Sequence, residues 1–101
     1  MSNSEALEKI KSINWASFSQ PDENSKTDVA DALTAVCQTN DAASSSSAYN
    51  KLLYAVGNNH AGTYYPVLLE TLPVLEQILV ANNIWPARTV LCVLDDLFAS
   101  F

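Results

Sequence analysis

An all-α fold is what this sequence predicts, four to five antiparallel helices with short connections, and three observations predict it. Apolar residues recur at helical spacing along most of the chain. Only two glycines are present, too few for the tight turns of a many-stranded sheet. The one run that reads as a buried strand, Val90-Leu91-Cys92-Val93-Leu94, would have no partner, and Leu97, Phe98 and Phe101 continue it at helical spacing.

The elements follow in order. Ser2 with Glu5 fits a capping box, and Leu7, Ile10 and Ile13 then repeat on one face of a short first helix ending near residues 12–14. Trp15 and Phe18 precede the breaker-rich stretch Ser19-Gln20-Pro21-Asp22-Glu23-Asn24. A second helix begins at or just before Thr27, with Val29, Leu33, Val36 and Cys37 as its stripe and Asp28 and Asp31 in its first turn. Thr39-Asn40-Asp41 ends it. Ser44 to Ser47 reads as a loop whose last serine caps the third helix, where Tyr49, Leu52, Leu53 and Val56 share a face and Gly57 is the stop. The fourth helical segment spans about Thr63 to Ala81, with Pro66 in its first turn and a kink or break at Pro73. Asn82-Asn83 ends it, and Pro86 opens a fifth helix that reaches the last residue.

At 101 residues the chain has room for one domain, residues 1–101. Hydrophobic residues are 49% of it, which excludes disorder, and charged ones are only 16%. A net charge of −6 and the absence of a Lys/Arg cluster argue against nucleic-acid binding. Residues Met1 to Glu5 lack the basic and apolar regions of a secretory signal, and Gly57 to Thr63 breaks the longest uncharged run. The expectation is a cytoplasmic protein that does not engage a membrane. Cys37 and Cys92 lie in apolar helical patterns with no Cys or His at metal-ligand spacing, and read as buried reduced thiols. No metal, cofactor or catalytic residue is expected.

From Trp15 onward the order of features resembles a family of small bacterial HEAT-like repeat proteins. Ile13-Asn14-Trp15, the Tyr49 to Val56 helix, Asn59-His60-Ala61-Gly62-Thr63-Tyr64-Tyr65, the Leu72-Pro73-Val74-Leu75 kink and Arg88 with Val90, Leu91 and Leu94 carry the resemblance. The family's loop reads His-Gln-Gly-Thr-Val-Tyr, and Ala61 stands here in place of its glutamine; longer relatives continue with further repeats. The resemblance implies a HEAT-like α/α superhelical arrangement that binds another protein. Such relatives are often encoded beside polymorphic or Rhs-type toxins, which implies an immunity protein that neutralises a cognate toxin by direct occlusion. The alternative is a homo-oligomeric scaffold or adaptor with no toxin partner, paired through its apolar last helix.

The candidate partner-binding residues are Asn59, His60, Tyr64, Tyr65, Asp95 and Asp96. His60 is the only histidine, so any acid–base chemistry would centre on it, yet its possible carboxylate partners are scattered over other helices. It either fixes the loop or touches a partner. Adjacent on one helix, Tyr64 and Tyr65 would point about 100° apart, either one toward the core and one outward beside Asn58 and Asn59, or both packed against neighbouring helices. Trp15 and Trp85, each beside a loop, read as helix-stacking anchors or as partner contacts. Asp95 and Asp96 oppose the dipole of the last helix, which suggests a use other than stability.

Charge is divided unevenly. Through Asp41 there are seven acids against three bases, a net of −4, which is either a solvated face or a surface suited to a basic toxin, such as a nuclease-like domain. From Leu52 to Phe101 only five residues are charged, and Val90 to Leu94 are apolar all round the helix. Such a helix expects cover on every side, from the first helix, from a second copy, or from a different protein.

Overall fold

The computed structural model describes residues 3–22, 24–58 and 63–99. The architecture is all-α. Its helices are α1 (Ser4–Ser12), α2 (Asp28–Cys37), α3 (Ala42–Val56), α4 (Val67–Ala81) and α5 (Ile84–Ala99), with a 3-10 turn at Trp15–Ser17. A two-residue antiparallel pair, β1 (Gly57–Asn58) with β2 (Thr63–Tyr64), links α3 to α4. Helix α2 packs on α3, α3 on α5, α5 on α4, and α1 closes the ring against both α4 and α2. Leu33, Leu52, Leu53, Leu75, Ile78, Val90 and Val93 are sealed inside that ring.

Local chemistry explains each boundary. Ser2 lies outside the described residues, and α1 starts after Asn3, whose side-chain amide donates to the Cys37 carbonyl at 3.1 Å. The buried Trp15 donates from Nε1 to the Ile10 carbonyl at 3.0 Å, locking the chain as it leaves α1. Helix α3 starts earlier than the serine run suggests. Asp41 Oδ1 accepts the Ser44 N–H at 2.7 Å while Ser44 Oγ accepts the Asp41 N–H at 3.1 Å, so a capping box absorbs the serines into the first turns.

Helix α4 begins at Val67, not Thr63. A residue before proline avoids the α region, so Tyr65 stays out of the helix and Pro66 becomes its N-cap. The helix then runs through Pro73 without ending. Both Leu69 and Pro73 face solvent, so water can serve the Leu69 carbonyl that a proline leaves without an N–H donor. Asn82, at φ 56°, is the left-handed stop. Helix α5 opens two residues before Pro86, which sits within its first turn, and it is followed to Ala99.

The last helix differs from expectation in its burial. Val90, Val93 and Leu97 are inside, whereas Leu91 is 56% exposed and Cys92 is also on the surface. Cys92 is therefore not a core thiol; Cys37 is, and both are free. Helix α1 packs on α2 and α4, so the outer side of α5 stays open.

Candidate functional site

The Ser19–Asn24 connection is drawn onto the end of α3 by side-chain amides. Gln20 Nε2 donates to the Trp15 carbonyl at 2.8 Å, and Asn24 Nδ2 donates to Gln20 Oε1 at 3.0 Å and to the Ala55 carbonyl at 2.7 Å. Val67 N–H to the Ser19 carbonyl, at 3.1 Å, ties the same connection to the start of α4. Between this connection, α3 and the β1–β2 end lies an open groove of about 560 Å³. Pro21, Asp28, Lys51, Tyr54, Gly57 and Tyr65 line it. Tyr54 is 52% exposed.

Asp28 is the groove's fixed charge. Ser25 Oγ donates to Oδ1 at 2.7 Å and the Ser25 N–H to Oδ2 at 3.1 Å. These two bonds hold its carboxyl below the ordinary carboxylate range, the hydroxyl contributing most, with a smaller pull from Lys51. A carboxylate held this way stays ionised and is poorly suited to carry protons. Asp22 and Asp31, both exposed, extend the acidic character beyond it.

The two adjacent tyrosines part company. They are not on a helix; Tyr64 belongs to β2 and Tyr65 follows it in the non-helical link. In extended backbone, successive side chains point to opposite sides. Tyr65 accordingly lines the groove, whereas Tyr64 lies near Tyr49, on which Asp96 and Cys92 also act. Both are half-buried and packed against the core. At the second cluster, burial first, then a hydrogen bond with Asp96, pushes the Tyr49 hydroxyl above its ordinary value.

Of the candidates from sequence, Asn59 and His60 lie outside the described residues. Tyr64 and Asp96 come together around Tyr49, Tyr65 joins the groove, and Asp95 stands exposed on the outer side of α5. Sequence reasoning did not single out Tyr54, Lys51 or Asp28 as a site. The signals were faint: Tyr54 falls off the apolar stripe of α3, and Lys51 is the one base between Lys26 and Arg88. Trp85 is half-buried with the Arg88 guanidinium 5.0 Å above its ring, a cation–π contact within α5.

Among the described residues, no three His, Cys, Asp or Glu side chains gather where they could hold a metal, and no helix is long and apolar enough to cross a membrane. No protein-family model, curated protein or solved structure matches this chain.

Proposed function

We propose that this chain is a non-enzymatic protein-binding domain, acting in the cytoplasm as a HEAT-like immunity protein that binds and occludes a cognate bacterial toxin. The observation that carries the binding role is the groove beside the β1–β2 end, where Tyr54 and Tyr65 face an Asp28 that stays ionised. Large, rigid aromatic side chains dominate the energetics of protein interfaces. A basic side chain of the partner stacks between such rings and reaches the carboxylate. The acidic surface around Asp22 and Asp31 would steer a basic toxin toward it. In sequence Asn59 and His60 fall between β1 and β2.

The groove's chemistry favours a binder over an enzyme. Its carboxylate is tied to Ser25; outside the groove, the buried Cys37 thiol, pushed up to about 11, is a poor nucleophile near neutral pH. The toxin as partner rests on the family resemblance around His60 to Tyr65. Calorimetric titration with candidate basic toxin domains, the products of any neighbouring toxin genes included, together with growth protection on co-expression, tests the reading. Tyr54→Ala and Tyr65→Ala should each weaken binding about tenfold or more and reduce protection. A wild-type chain that neither binds nor protects overturns it.

A further inference from the structure

The α4–α5 hairpin turns a second surface outward. Leu69, Leu72, Pro73, Glu76 and Val80 form one exposed line along α4, and Ile84, Arg88, Leu91, Cys92 and Asp95 form another along α5. The apolar members are conspicuously open, with Leu69 at 65%, Val80 at 63% and Ile84 at 72% exposure. A two-residue link, Asn82–Asn83, joins the helices, so Val80 and Ile84 sit at one end and Glu76 and Arg88 at a similar height beyond them.

We infer that this face is a two-fold interface between two copies of the chain. Three physical arguments choose that occupant. First, an isologous contact must complement itself, and the face carries both signs, Glu76 on α4 and Arg88 on α5. A two-fold axis between the helices sets Glu76 of one copy against Arg88 of the other. Second, a chain of charge −6 repels its copy, so self-association needs a surface where acids are sparse. Here Glu76 and Asp95 are set against Arg88, while most of the excess acid lies before residue 42. Third, a basic toxin would find little negative charge to pair with here, and a membrane surface would find only one cation.

Size sets the expected strength. Twelve residues of helix at 1.5 Å rise and two helices about 10 Å apart give a face of about 20 by 20 Å, about 400 Å² in projection. A standard interface removes about 800 Å² of accessible surface per partner, so this one is at the small end and a weak dimer that dissociates on dilution is expected. The contact leaves the groove of Tyr54 and Tyr65 free, so it is independent of the toxin reading.

Sedimentation equilibrium and light scattering of the full chain, from about 1 µM to about 1 mM, test the inference. The expected mass rises from 11.0 kDa toward twice that value with concentration. Leu91→Asp and Ile84→Asp, both at exposed positions and so neutral for folding by circular dichroism, should each weaken the dimer at least about tenfold. Glu76→Arg should weaken it similarly, and adding Arg88→Glu should bring it back to within about threefold of the wild type, a recovery that nonspecific stickiness would not give. A mass that stays at 11.0 kDa throughout, or a dimer indifferent to all of these changes, overturns the assignment.

Discussion

The hydroxyls of Ser45 and Thr89 lie 2.6 Å apart and join α3 to α5 across 44 positions of sequence. Thr89 Oγ1 also donates to the Trp85 carbonyl at 2.8 Å, which commits its proton and makes Ser45 the donor of the pair. Thr89 is fully buried. Thr89→Val should therefore cost about 1–2 kcal/mol, because it removes the acceptor from a half-buried Ser45. Ser45→Ala should cost less, about 0.5–1 kcal/mol, since Thr89 keeps its bond to Trp85. Urea unfolding of both single variants and the double variant checks this, and the double variant should lose less than the sum.

Tyr49 offers a titration that separates burial from charge. Burial is the largest cause of its raised value, and the Asp96 hydrogen bond and charge come next. In a spectrophotometric titration of the four tyrosines, one should ionise later than the ordinary 10.0. Asp96→Asn should bring it only part of the way back, because burial remains. A full return would assign the shift to Asp96 alone.

The two thiols should differ in rate and in their effect on stability. Cys92, exposed on α5, should react with a disulfide reagent within the mixing time scale of a surface thiol, and Cys37 only on unfolding. The Cys37 value rises from 9.0 to about 11 on folding, so the folded state holds its proton more tightly than the unfolded chain. That contribution is fully present below about pH 9 and is lost as pH rises through about 11. Cys37→Ala should flatten part of the alkaline decline in the urea midpoint, beneath any remaining Tyr49 contribution.

How far the fold could be read from sequence depends on how local its causes are. All five helices were legible because their apolar stripes, Leu33 with Val36 or Leu52 with Val56, repeat within a few residues. The start of α3 was not, because Asp41 and Ser44 cap reciprocally and turn a serine run into helix. Nor was the separation of Tyr64 from Tyr65, which depends on Thr63–Tyr64 pairing with Gly57–Asn58. The groove was least legible. Asn24 reaches the Ala55 carbonyl from 31 positions away, and nothing local to either residue signals that contact.

Acid should weaken the cap of α3. Asp41 accepts the Ser44 N–H, the larger cause of its lowered value, with the Ser44 hydroxyl next. A depressed carboxylate stabilises the folded chain above its unfolded value of 3.8, and this is lost as pH falls through the lower folded value. Asp41→Ala should lower the urea midpoint at pH 7, and the difference from wild type should shrink steadily below pH 4. A difference independent of pH would show that the cap acts through helix geometry and not through its charge.

Pro73 is the residue of α4 that its own helix would not choose. In the middle of Val67–Ala81 it supplies no N–H to the Leu69 carbonyl, and its ring crowds that turn, a combination that costs about 3 kcal/mol in an ordinary helix. Solvent around Leu69 and Pro73 offsets part of this by hydrating the carbonyl. Proline also restricts the unfolded chain, an advantage of about 0.5–1 kcal/mol that a replacement forfeits. Pro73→Ala should therefore stabilise the protein by about 1–2 kcal/mol, and the melting temperature should rise by several degrees for a chain of this length. Hydrogen exchange should show a newly protected amide at position 73. A loss of stability instead would mean that the proline ring helps to seat the buried Val74 and Leu75 that follow it.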